Sequence, residues 1–381
     1  MLRSFIALLS FSFALPAFAM IYGTDDRQEA LLSWAKPHAP AVLLMTSRNF
    51  VIDEGDPQFV KLDFQKASGE SSMINMCANQ RFADQLTAGI NCSGFLIAPD
   101  LVVTAGHCIV PYGRSERKET AGCSDFVWIA DFAQPANGTP LNVDRWPREK
   151  IFECAEVIDG QNPDFSSPAF APPVFGDDFA LVRLKNPVPG RTPLTMSREF
   201  KAPRQLYAMG YPLGLPLKLA GPARVISEDF TKFYSANIDT FMGNSGSPIF
   251  DEKGLVHGIL VRGYPEDFVS DGGACYTMNK CNESGQRCDE ASDFFATGSH
   301  VQRLGVIHMA LAKYRGDDAP LVASLRPLFT PPVRAGLFTP PRSGRGFLGS
   351  KNQTLIDPNA PGAGVISPKR SSPDRSGADG R

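Results

Sequence analysis

A serine hydroxyl attacks a carbonyl only when a base takes its proton and donors hold the oxyanion that forms. This chain of 381 residues carries three stretches with the side chains for that chemistry. The first is Met242-Gly243-Asn244-Ser245-Gly246-Ser247-Pro248, a glycine-punctuated turn leading into Ile249 and Phe250, with Ser245 as the candidate nucleophile. Gly243 and Gly246 permit a tight turn, and the N–H groups of Gly243 and Ser245 are the candidate oxyanion hole. A polar turn between two strands would read the same way, so the choice rests on a base and its orienting acid. The base is His107. It closes Cys92-Ser93-Gly94-Phe95-Leu96-Ile97-Ala98-Pro99-Asp100-Leu101-Val102-Val103-Thr104-Ala105-Gly106-His107-Cys108, which reads as a strand, a turn at Pro99-Asp100 and a second strand. The acid is Asp178, in Gly176-Asp177-Asp178-Phe179-Ala180-Leu181-Val182-Arg183-Leu184. A carboxylate at the head of an apolar strand can be partly buried, where it fixes the histidine tautomer and stabilises imidazolium. Asp177 is the alternative acid, but adjacent strand residues face opposite sides and only Asp178 directly precedes Phe179.

These motifs resemble those of the chymotrypsin-like (trypsin-fold) serine peptidases: Thr104-Ala105-Gly106-His107-Cys108 around the base, Asp178-Phe179-Ala180-Leu181 around the acid, and Gly243-Asn244-Ser245-Gly246-Ser247-Pro248 around the nucleophile. Their order, His then Asp then Ser, is that of chymotrypsin and not that of subtilisin or the α/β-hydrolases. The likeness spans roughly residues 77–310. Asn244, where digestive members have an aspartate, points to the bacterial branch that includes the glutamyl endopeptidases. The resemblance implies an all-β fold of two six-stranded antiparallel barrels with the triad at their seam, and a C-terminal helix. It also implies peptide-bond hydrolysis through an acyl-enzyme, no cofactor and no metal, and a Cys92–Cys108 disulfide bracing His107.

For substrate binding, Asp239 falls where trypsin-like members carry the acid that holds lysine or arginine. Thr240 falls where glutamyl endopeptidases have a pocket hydroxyl, but their pocket histidine would fall near Leu260, and leucine cannot replace it. The expectation leans to cleavage after basic residues, with Asp239, Thr240, Val261 and Gly263 lining the substrate site. Ile21-Tyr22-Gly23-Thr24-Asp25-Asp26-Arg27 resembles the mature start of some bacterial members. In digestive relatives a freed N-terminus pairs with the aspartate that Asn244 replaces here, so no such activation is expected.

Composition narrows the class. A net charge of −2 gives no electrostatic hint of nucleic-acid or membrane-surface partners. The 34 glycines and 32 prolines suit a turn-rich β protein with an irregular tail. Residues 1–19 have the parts of a secretory signal: a basic start, a short apolar core and Ala17-Phe18-Ala19 at the cut. The core is shorter than the roughly 20 residues a membrane span needs. A monomer exported to the periplasm or medium, acting on polypeptides and free of the membrane after signal removal, is therefore expected. Eight cysteines fit an oxidising compartment. Cys123 and Cys154 flank the next strand region and form the second expected pair. The connectivity of Cys77, Cys275, Cys281 and Cys288 stays open. Zinc is the rival for the last three, ranked below disulfides because no C-x-x-C pair or histidine falls among them.

Along the chain, residues 20–40 form an N-terminal segment that could serve as a pro-segment, with a short helix over Asp25–Ala35. The peptidase domain is expected over residues 41–326. Strands are expected at 41–45, 59–64 and 126–132 in a first barrel, and at 205–209, 223–226 and 232–238 in a second. Residues 163–173 read as a surface connection. Val301, Leu304, Ile307 and Leu311 recur at helical spacing, predicting a helix over 299–314 on the second barrel. Residues 327–381, rich in Pro, Gly and Ser, bury too little apolar surface to offset their ordering entropy and are expected to be disordered. Two other readings compete with the secreted peptidase: a non-catalytic binding protein on the same fold, which would normally have lost a triad member, and an adhesive protein whose tail carries the function.

Overall fold

Short runs of β-branched and large apolar residues set the strands of the computed structural model, which describes residues 20–69, 72–89, 91–116, 121–163, 176–199, 201–228, 231–263, 268–270, 272–285 and 298–315. Six of these runs form the first sheet: β1 (Val42–Ser47), β2 (Cys92–Ala98), β3 (Leu101–Thr104), β4 (Phe126–Ile129), β5 (Ile151–Asn162) and β6 (Phe179–Leu184). They pair antiparallel in the order β5-β4-β1-β2-β3-β6, and β6 pairs back onto β5. The sheet is thus a closed barrel of six strands, and Arg114–Glu116 adds to the free edge of β5. Closure leaves these strands no edge to expose. Phe95, Val102, Trp128, Ile129, Val157 and Leu181 of these strands are fully buried.

The second sheet is built from β7 (Leu206–Gly210), β8 (Lys218–Ala223), β9 (Val225–Ser227), β10 (Phe233–Ala236), β11 (Pro248–Phe250), β12 (Val256–Arg262) and β13 (Ser299–Arg303). Its order is β9-β10-β13-β12-β11-β7-β8, with Gln28–Glu29 paired beyond β8. Two six-stranded barrels were expected; among the described residues this second sheet has eight strands and no pairing that joins its ends.

Two local expectations are corrected. No helix forms over Asp25–Ala35: Gln28–Glu29 is a strand, and short 3-10 turns occupy Ala30–Leu32 and Lys36–Ala41. The cause is tertiary, because Gln28 and Glu29 pair with Leu219 and Lys218. The C-terminal helix α1 spans Gly305–Arg315, since Ser299–Arg303 is drawn into the sheet as β13. α1 packs chiefly on β5 and β6 of the first barrel, where the second barrel was expected. Ile307, Ala310 and Leu311 join the same apolar core as Val157 and Leu181, and Lys313 reaches Asp159 of β5 at 3.7 Å. Among the described residues no helix is long and apolar enough to cross a membrane. The expected signal segment, the 327–381 tail and most of the 163–173 connection lie outside the described residues.

Candidate active site

Strand register brings the base and the acid together. β3 and β6 pair with Thr104 opposite Ala180, so the residues that follow Thr104 and those that precede Ala180 leave the barrel at one end. Gly106 passes so close to the carbonyls of Gln161 and Phe179 that a Cβ there would collide with them. His107 follows in a single 3-10 turn, Gly106–Cys108. Its main-chain N–H donates to Asp178 Oδ1 at 3.0 Å, and its Nδ1 lies 2.9 Å from Asp178 Oδ2. The imidazole is part-exposed at 23%, whereas the carboxylate is 1% exposed. Held this way, the ring keeps its Nδ1 proton on the carboxylate, which leaves Nε2 as the basic nitrogen.

Asp177 and Asp178 diverge as strand parity requires. Gln302 of β13 clamps both residues: its Oε1 accepts the Asp178 N–H at 3.0 Å, and its Nε2 donates to Asp177 Oδ1 at 3.1 Å. Asp177 also pairs with Lys232 at 3.2 Å, facing away from the histidine. On the other side of Asp178, Arg262 Nη1 lies 3.6 Å from Oδ2. Burial alone would push the Asp178 carboxyl up, but His107 and Arg262 together hold it below the ordinary carboxylate range.

Ser245 is fixed from the first barrel. Ser93, on β2, donates its N–H to Ser245 O at 2.7 Å and its hydroxyl to Gly243 O at 2.7 Å, while that hydroxyl accepts Tyr211 N–H at 3.0 Å. Ser93 O in turn accepts the Thr104 hydroxyl at 2.7 Å. One buried serine therefore ties the nucleophile turn to the strand that ends in His107. The turn is closed by Asn244 N–H to Phe241 O at 2.9 Å and Gly246 N–H to Leu260 O at 2.7 Å. Gly243 and Gly246 have φ of 94° and 86°, a region costly for residues with a Cβ. Among the described residues neither the Gly243 nor the Ser245 amide donates to a main-chain carbonyl.

Disulfides brace this end of the molecule. Cys92–Cys108 joins β2 to the His107 turn, and Cys123–Cys154 joins the approach to β4 with β5. Cys77 pairs with Cys275, and Cys281 is also disulfide-bonded. Cys92, His107 and Cys108 place ligand-type atoms within 4.8 Å of one another, but both sulfurs are spent in the disulfide. A thioether-like disulfide sulfur is not the thiolate a metal requires.

The sequence reading of Asp239 needs correction. The residue is 1% exposed. Oδ1 accepts the Tyr22 N–H at 2.7 Å and Oδ2 the Asp26 N–H at 2.9 Å, so the side chain anchors the N-terminal segment. Burial, reinforced by the nearby Asp26, pushes the Asp239 carboxyl up to about 8. Thr240 is likewise engaged, its hydroxyl 2.9 Å from that of Ser299. Val261 is buried and Gly263 half-buried at the end of β12, beyond the stretch of that strand paired with β11. Ser93, Gln302 and Arg262 carry roles that the sequence pattern did not mark. A polar Ser between Cys92 and Gly94 in an otherwise apolar strand was a signal for the first; the other two are ordinary surface residues in sequence.

A closed six-stranded barrel with a histidine–aspartate pair at its rim, abutting a glycine-flanked serine, defines the chymotrypsin-fold class of serine peptidase. Residues 92–259 match the family model of the trypsin-like peptidase domain, which marks the chain as a serine-type peptidase and implies polypeptide substrates. No curated protein matches the chain. Similar solved structures include the active form of the Rv3671c protease from M. tuberculosis, 18% identical, with 82% of this chain and 93% of that chain covered at a TM-score of 0.37. Another is a Glu endopeptidase in complex with MPD, 17% identical, with 67% of this chain and 91% of that one covered at a TM-score of 0.35. Likeness at that level carries no weight for specificity.

Proposed function

We propose that the protein is an exported serine endopeptidase working through His107, Asp178 and Ser245. The observation that carries this reading is the double hold of Asp178 on His107, through its main-chain N–H at 3.0 Å and Nδ1 at 2.9 Å, beside a serine turn pinned by Ser93. His107 Nε2 takes the proton of Ser245 as Oγ attacks a peptide carbonyl. Asp178 stabilises the imidazolium, and the N–H groups of Gly243 and Ser245 receive the oxyanion. His107 then protonates the leaving amine, and water repeats the sequence on the acyl-enzyme. The end of β12, at Val261 and Gly263, is the proposed lane for the substrate backbone, since an extended peptide adds to an unpaired strand edge. A lean to basic residues is not part of the proposal, because both oxygens of Asp239 are committed to main-chain amides. The three disulfides between described cysteines, with Cys281 also bonded, support an oxidising destination, periplasmic or extracellular.

The test is labelling of the disulfide-intact protein with a fluorophosphonate, which reacts only with an activated serine. Labelling that Ser245→Ala abolishes is the expected result. Folded protein that stays unlabelled before and after N-terminal trimming would instead favour a non-catalytic relative.

A further inference from the structure

We propose that Arg262 is a positioning residue that acts through Asp178 to extend the working range of His107 toward lower pH. The inference rests on the peptidase reading above. Arg262 Nη1 and His107 Nδ1 approach the same carboxylate oxygen, Oδ2 of Asp178, at 3.6 and 2.9 Å. The carboxylate is buried, so little solvent screens either cation from it. The guanidinium lies 5.0 Å from the Phe233 ring centre, and the Phe233 and His300 rings pack tilted at 32° with centres 4.5 Å apart. Its side chain is 14% exposed, which leaves Asp178 as a near and poorly screened counter-charge.

Other ionisable groups nearby have partners of their own, and Asp177 also adds to the negative field on Arg262, behind Asp178. Asp177 pairs with Lys232 and Arg303 with Glu228, while on the barrel side Asp159 pairs with Lys313. Burial drives the His300 imidazole down to about 3, so it is neutral while the enzyme works and adds no competing cation. Arg262 is thus the fixed charge that shares Asp178 with the histidine.

Sharing has a direction. The base form of His107 is neutral, and the form made during attack is imidazolium. A permanent cation on the same carboxylate weakens its pull on imidazolium, so the neutral base persists to lower pH. Without the guanidinium, Asp178 would serve the imidazole alone, and the histidine would protonate at higher pH. Arg262 therefore exchanges some stabilisation of imidazolium for a wider acid range.

The experiment is the rate of fluorophosphonate labelling of Ser245 from pH 4.5 to 9, on wild type, Arg262→Leu, Arg262→Gln and Arg262→Lys. The acid limb of the neutral variants is expected about one pH unit above wild type, roughly a tenfold slower reaction below the wild-type midpoint. Arg262→Lys restores most of the shift, because charge and not shape carries it. If Leu disrupts folding, shown by a lost melting transition, Gln makes the comparison. An unmoved midpoint with only a lower plateau overturns the proposal, and so does an equal shift for Lys and Gln. Wild-type protein that fails to label at any pH refutes the peptidase reading instead, which keeps the two failures apart.

Discussion

Replacing Asp239 by asparagine separates its anchoring role from a role in substrate recognition. The carboxylate is buried, accepts Tyr22 and Asp26 N–H groups, and lies beside Asp26, whose own Oδ1 accepts the Gly221 N–H at 3.0 Å. Burial and the charge of Asp26 raise the Asp239 carboxyl from an ordinary 3.8 to about 8. A raised acid pKa means that the native state binds a proton the unfolded chain has released. The associated stability is complete below about pH 4 and is lost as pH rises toward 8, at about 1.4 kcal/mol per pH unit. From pH 6 to 8 the wild-type domain should therefore lose up to about 3 kcal/mol. For a domain of this size that lowers the melting temperature by roughly 6–12 °C. Asp239→Asn keeps one acceptor for Tyr22 and removes the ionisation, so its melting temperature should vary much less over the same range. Thermal unfolding by circular dichroism at half-unit pH steps measures both slopes. Equal slopes in wild type and variant would refute the buried-proton argument. Selective loss of cleavage after lysine or arginine, with the melting curve unchanged, would return Asp239 to the substrate pocket.

Two further predictions concern the catalytic end. Asp178→Asn should slow labelling of Ser245 by about 10³–10⁴-fold, because an amide favours the wrong histidine tautomer. Asp177→Asn, which loses an outward-facing pair with Lys232, should stay within about threefold of wild type; the opposite ranking in the same assay would exchange the two roles. Replacing Cys92 and Cys108 together by serine opens a link between residues 16 apart. It should cost about 3 kcal/mol, read as a melting temperature lowered by roughly 6–12 °C, and no change on mutation would show that the bridge does not constrain the unfolded chain.

Much of the site was legible because its parts are local. A serine turn needs glycines, a base turn needs a tight passage after a strand, and an acid at a strand head is marked by the apolar residues that follow it. Each signature lies within a few consecutive residues, so Gly243 to Pro248, Thr104 to Cys108 and Asp178 to Leu181 could be found without knowing what faces them. Strand alternation, with the place of Asp178 directly before Phe179, also separated Asp178 from Asp177, and Gln302 contacts both residues, accepting the Asp178 N–H and donating to Asp177 Oδ1.

What lay hidden depends on partners distant in the chain. Asp25–Ala35 has caps and apolar spacing fit for a helix, but pairing with Lys218 and Leu219 outweighs local propensity and draws Gln28 and Glu29 into a sheet. Helical period located α1 but not the face it covers, since period says which residues are buried and not against what. The position of Asp239 before Ser245 suggested a cation pocket; the arrival of Tyr22 and Asp26, more than 200 residues away in sequence, made it an anchor. Arg262 reaches Asp178 only because β12 and β6 end at the same seam. The sequence by itself singled out the candidate nucleophile, base and acid, because their chemistry imposes residue types on short turns. Only the tertiary structure decided which charges surround them, because a buried charge takes its state from whatever the fold places within a few ångströms.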